Sequence, residues 1–187
     1  TVHIDFDLAP FVKRSFYKHY CEGLLWMTED EIDNALWNHY GTEDLEKNLI
    51  EAMPSIDDKL FHKNSRAYDY AMHMLHKEMK QSAEALYHNL NTLESRAGSQ
   101  VPFTSINYGR DTSIEGRMVT EAMLNASLAG IGKHHKTSIF PISIFKVKEG
   151  INYNPEDPNY DLFKRSMEVS SKRLFPNFTF VDAPYNL

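Results

Sequence analysis

Apolar residues recur at helical spacing through the first half of the chain and in short extended runs through the second. Leu8, Phe11, Val12, Phe16 and Tyr20 form one stripe, with Asp7 as the predicted helix cap and Pro10 in its first turn. Residues 1–6 ahead of it read as a strand end or lead-in. Residues 28–53 read as one or two short helices, opened by a Thr28/Glu31 capping pair and closed by Pro54. A second capping pattern, Ser55 to Asp58, opens a long helical stretch. Ala67, Ala71, Met74, Leu75, Ala83, Leu86, Leu90, Leu93 and Ala97 keep its spacing nearly to Gly98, with a break predicted at Asn64-Ser65. From Ser65 to Ala97 such a helix would be about 50 Å long at 1.5 Å per residue, more than one small core covers.

Beyond Gly98 the period changes. Val101–Tyr108 reads as a strand, and a helix capped by Thr112 and Glu115 runs to the stop at Gly130 and Gly132. Ile139–Val147 is a second strand, Asn159–Leu174 a helix and Asn177–Val181 a third strand. Crossovers of this length imply parallel strands, and strands apolar on both faces imply a sheet covered by helices or a closed barrel. Pro141 removes a ladder donor and predicts a bulge or an edge in the second strand. The expected fold class is α/β: a helical region over 1–98, then a parallel βαβαβ portion over 99–187, forming one continuous domain.

At 187 residues the chain suffices for one core. Its formal charge of −6 argues against a sequence-independent grip on nucleic acid. No apolar run approaches the roughly 20 residues of a membrane span. With no signal peptide in view, the expected compartment is the cytoplasm. A single cysteine, Cys21, excludes an internal disulfide and a cysteine-rich zinc site in this chain. The abrupt start at Thr1 and finish at Leu187 read as an excerpt of a longer polypeptide.

Candidate chemistry is sparse, with no phosphate loop, dinucleotide fingerprint, nucleophile elbow or paired-histidine zinc motif. Cys21 reads as packed and His134-His135 as a solvated loop. His73 and His76 read as partly buried helix histidines, and the acidic run after Thr28 as a first-turn dipole match. Lys13, Arg14, Lys18 and His19 make a basic patch on the first helix, read either as a solvated face or as a site for a phosphate-bearing ligand. Asp182 falls at the carboxyl end of the third strand, where parallel α/β folds place ligands, with Asn107 and Arg110 matching it at the first. These are the candidates for pocket lining.

Five blocks then carry a resemblance. They are Arg96-Ala-Gly-Ser-Gln-Val-Pro-Phe-Thr-Ser-Ile-Asn-Tyr-Gly109, Glu115-Gly-Arg-Met118, Ile139-Phe-Pro-Ile142, Asp157-Pro-Asn-Tyr-Asp-Leu-Phe163 and Lys172-Arg-Leu-Phe-Pro-Asn177. In this order and spacing, with Asp7-Leu-Ala-Pro-Phe-Val-Lys-Arg14 ahead of them, the chain resembles the anaerobic (class III, glycyl-radical) ribonucleoside-triphosphate reductases. The resemblance implies a ten-stranded barrel of two half-barrels in the whole enzyme. It implies reduction of ribonucleoside triphosphates by a stored glycyl radical that oxidises a cysteine, whose thiyl takes the ribose 3′ hydrogen. It further implies a homodimer, a radical-SAM activating enzyme, a structural four-cysteine zinc site, and ATP or deoxynucleotide effectors bound where the first helices meet.

Lys18 falls where the family places a lysine on effector phosphates. The family's catalytic cysteines, radical glycine and zinc ligands match no residue of this chain, so it is expected to be catalytically inert and to carry scaffold and effector surface. The Arg96–Gln100 turn is placed between effector and substrate sites. Arg110 stands where the family leads one to expect a small residue such as Thr. The alternative is a stand-alone helical nucleotide-binding or dimerisation module without catalysis.

Overall fold

The structure, a computed structural model, describes residues 3–27, 53–93 and 100–186. Its helices are α1 (Ile4–Met27), α2 (Ser65–Thr92), α3 (Ile114–Ala129) and α4 (Tyr160–Arg173). Its strands are β1 (Ser105–Tyr108), β2 (Ile142–Val147) and β3 (Asn177–Phe180). The capping pair at Thr28/Glu31, the helices expected behind it and the Gly98 stop lie outside the described residues.

The three strands form a parallel sheet in the order β1-β2-β3, with Tyr108 opposite Phe145 and Val147 opposite Phe180. The strand-helix-strand pattern thus folds as its crossovers require. Two strands are shorter than their apolar runs. β1 begins at Ser105, after Pro102, and β2 begins directly after Pro141, so this proline precedes the ladder instead of bulging within it. β2 is the central strand, and its buried residues alternate as Ser143, Phe145 and Val147.

The N-terminal expectations are corrected. Ile4 already opens α1, and Asp7 donates its N–H to His3 O at 3.0 Å, so Asp7 lies inside the helix and is no cap. Pro10 consequently sits beyond the first turn. Of the described residues in the expected lead-in, His3 keeps extended pairing, as a parallel bridge to Asn107. Asn64 caps α2, its Oδ1 accepting from Ala67 N at 3.0 Å, while Ser55–Asp58 forms a separate turn. α2 ends at Thr92, short of Ala97. Ser113, not Thr112, caps α3 by accepting from Gly116 N at 3.1 Å.

Helix α1 is enclosed by α2, α3 and β1, which explains why its buried positions outnumber one stripe. Val12, Phe16 and Tyr20 are buried as the stripe predicts, but so are Tyr17, His19 and Cys21, while Phe11 is exposed. Phe16, Tyr17, Tyr20 and Phe61 pack ring against ring at centroid distances of 5.1–5.9 Å. Gly23 allows the close approach to α2, since a Cβ there would sit 3.1 Å from Ala67 Cα.

Candidate functional site

The β1–α3 loop, Gly109 to Asp111, leaves the carboxyl end of β1, and residues from distant parts of the chain converge on it. Asp5, fully buried at the start of α1, turns its Oδ2 toward the loop. That oxygen accepts from the backbone N–H groups of Gly109, Arg110 and Asp111 at 2.9, 3.0 and 3.0 Å. A carboxylate can only accept, and three converging N–H groups satisfy it without a cationic partner. From the other side Asn152 Nδ2 donates to Gly109 O at 2.8 Å and to Lys146 O at 2.9 Å. Asn159 Nδ2 donates to Asp111 O at 2.8 Å. Both amides are fully buried, so the loop's three N–H groups and the carbonyls of Gly109 and Asp111 are paired by protein groups.

The start of α3 extends this arrangement. Glu115 does not close a capping box but is itself buried, its Oε1 accepting from Ser55 Oγ at 2.9 Å and Ile56 N at 3.0 Å. Gly116 is required by the Asp111 side chain, which lies 2.1 Å from where a Cβ would be. Arg117 forks onto Asp161, at 3.1 and 2.7 Å, and also donates to Pro158 O and Asn159 Oδ1. That guanidinium holds the Asp161 carboxyl below the usual carboxylate range. Burial pushes the Asp111 carboxyl up, reinforced by the charges of Asp5 and Glu115 and opposed by hydrogen bonds from Ser113. An acid raised in this way costs folded-state stability when ionised, a cost that vanishes as pH falls through the carboxylate range. The family-like blocks around Gly109, Glu115-Gly-Arg117 and Asp157–Asp161 are therefore the parts of one loop platform.

Asp182 follows β3 at the same end of the sheet. It lines a cavity of about 360 Å³ with Glu149, Tyr153, Phe180 and Tyr185, and its Oδ2 accepts from Glu149 N at 2.9 Å. Asn107 lies within β1, 1% exposed and opposite Ile144, in the ladder instead of beyond the strand's end. Arg110 is the loop's partly buried residue.

The basic patch of α1 divides. Lys13 donates to Met53 O at 3.0 Å. His19 is buried, with Nδ1 2.8 Å from Glu22 Oε2 and Nε2 2.9 Å from Glu78 Oε1, so it belongs to the α1–α2 contact and not to an open cationic face. Glu78 also accepts from Ser15 Oγ at 2.5 Å. Burial raises the Glu78 carboxyl, but Ser15, His19 and the charge of Lys18 outweigh it and leave it below its usual range. Lys18 itself is exposed.

Cys21 is 1% exposed, and burial, with Glu22 nearby, pushes its thiol up to about 11, the setting of a packed cysteine. His73 and His76 are exposed, not partly buried, and His76 borders a cavity with Met118 and Glu121 of α3. His134 and His135 are exposed as expected, and His135 Nδ1 lies 2.9 Å from Ala129 O at the end of α3. Among the described residues no cluster of three or more His, Cys, Asp or Glu could hold a metal ion. Nor is any helix among them long and apolar enough to cross a membrane. Sequence reasoning missed Asp5, Asn152 and Asn159. Their partners in the Gly109–Asp111 loop lie 43 to 106 residues away, and the Asp-Pro-Asn block was the one available signal.

A family model described as anaerobic ribonucleoside-triphosphate reductase matches residues 1–186. Proteins of that name are similar to the chain. The one from Escherichia coli is 33% identical over 174 residues, covering 93% of this chain and 19% of its own length. The one from phage T4 is 30% identical over 175 residues, covering 94% and 23%. The one from Haemophilus influenzae is 38% identical over 108 residues, covering 58% and 15%. The chain thus spans about a fifth of the length of the curated relatives it matches over most of its own length.

Proposed function

Because the chain belongs to the anaerobic ribonucleoside-triphosphate reductase family, we propose that it serves as scaffold and effector surface of a radical enzyme making deoxyribonucleotides from ribonucleoside triphosphates. In this reading residues 99–187 contribute three parallel strands to a ten-stranded barrel, and residues 1–98 form the helical dimer and effector region. The parallel order β1-β2-β3 supports it. Asp182, and Asn107 behind the Gly109–Asp111 platform, belong to the wall of the substrate pocket. The radical glycine and the cysteine that takes the ribose hydrogen are supplied by other parts of the enzyme in this reading, since the chain's single cysteine, Cys21, is packed inside the fold at 1% exposure, away from any substrate. The structural four-cysteine zinc site likewise belongs to other parts of the enzyme in this reading, since this chain has a single cysteine. The cellular setting of this proposal is the cytoplasm, with a second copy and a radical-SAM activating enzyme as partners.

The observation that carries the effector assignment is the division of the basic patch. Lys13 is committed to a carbonyl and His19 to two glutamates, while Lys18 stands exposed on the same helix. An ammonium so placed can meet a phosphate without breaking a contact of the fold. Thermal unfolding with and without deoxynucleoside triphosphates or ATP tests this. A ligand at 100 times its dissociation constant should stabilise the protein by about 2.7 kcal/mol, and Lys18→Ala should remove most of that gain. No stabilisation at millimolar nucleotide, or an equal gain in the variant, would remove the effector site from α1.

A further inference from the structure

We infer that Arg110 is an oxyanion-binding residue at the carboxyl end of β1, suited to a phosphate group of a nucleoside triphosphate. Its Nε is buried without a hydrogen-bond partner, and among the described residues the side chain forms no hydrogen bond or ion pair. A guanidinium keeps its charge at any physiological pH and offers five donors, so a buried unpaired N–H on it is costly unless a ligand meets it. The acids that gather at this loop have other partners. The Oδ2 of Asp5 is occupied by three backbone N–H groups, one of them Arg110's own. Glu115 is engaged by Ser55 and Ile56, and Asp111 accepts from Ser113 N at 2.9 Å. All three carboxyl groups are thus committed to the fold, and the guanidinium is left over.

Its place is consistent with a ligand. The parallel register puts Arg110 at the same end of the sheet as the Asp182 cavity, the end at which such sheets receive ligands. A guanidinium fork matches two oxygens of a phosphate at once. The fold's hydrogen bond to this residue runs through its backbone N–H, which Asp5 accepts, and leaves the guanidinium donors for a ligand. The inference rests on the reading of that end of the sheet as the substrate side, and it is independent of the effector assignment to Lys18.

The test is titration of the chain with inorganic triphosphate and with ATP at constant ionic strength. It is followed by calorimetry and by the ¹⁵Nε–¹Hε resonance of Arg110, in the parent, Arg110→Thr, Arg110→Lys and Lys18→Ala proteins. Saturable movement of the Arg110 resonance is expected, with affinity about 10- to 100-fold weaker in Arg110→Thr and intermediate in Arg110→Lys. Tighter binding of ATP than of triphosphate would identify a nucleotide, and equal binding a bare polyphosphate; both support the oxyanion site. Persistence of the Arg110 response in Lys18→Ala separates it from the effector patch. An unmoved Arg110 resonance, or undiminished affinity in a folded Arg110→Thr protein, would overturn the assignment.

Discussion

Asp5→Ala is expected to lower the unfolding free energy by about 3 kcal/mol or more, measured as a fall in the urea midpoint at neutral pH. The substitution removes one oxygen but leaves three buried N–H groups, on Gly109, Arg110 and Asp111, with nothing to replace it. Water cannot reach them easily, because Asp5 is fully buried and Asn152 and Asn159 close the loop from the other side. The change also frees the first turn of α1, whose Phe6 N–H is held by the second oxygen at 3.1 Å. Asp5→Asn should fall between parent and Ala, since its carbonyl accepts while its amide opposes donors. A loss below about 1 kcal/mol in Asp5→Ala would mean that the loop is held by its other contacts.

Gly109→Ala is expected to cost about 3 kcal/mol, for two separable reasons. Gly109 has φ +108°, where an L side chain is strained, and a Cβ there would lie 2.8 Å from the ring of Phe145. Phe145 cannot yield. It is fully buried in the central strand and packs against Tyr108, Phe163 and Phe178 at centroid distances of 6.0–6.1 Å. Gly150 provides the control, with φ +76° but open space around a Cβ. Gly150→Ala should carry the backbone cost of about 1 kcal/mol alone, so the difference between the two midpoints isolates the clash. Equal losses would show that the Phe145 ring moves aside.

Much of the fold is legible in the residues, and the site less so, for one reason. Helix and strand periods are local, and they locate α2, α4 and β2 because each of these buries one side. α3 is located by its start near Ser113 and its Gly130 stop, although it packs against α1, α2 and α4. α1 is enclosed by α2, α3 and β1, so a single-stripe reading places His19 in solvent although two glutamates bury it. The same locality turns Glu115 into a capping residue, where it reaches back 60 residues to Ser55. Asp5 is the extreme case. Next to a β1 bridge at His3, it reads as an extended lead-in, and nothing within ten residues reveals that its carboxylate holds a loop 104 to 106 positions away. The family-like blocks were visible as words; what they share, the Gly109–Asp111 platform, appears when the chain is folded.

That platform is the claim on which the rest depends, since it fixes where Arg110 and the end of β1 stand relative to α1. Amide hydrogen exchange at Gly109, Arg110 and Asp111 tests it most directly. If Asp5 clamps the loop, these three amides exchange as slowly as those of the central strand, through global unfolding, and accelerate together in Asp5→Asn. Exchange at the rate of an open surface loop in the parent protein would contradict the account.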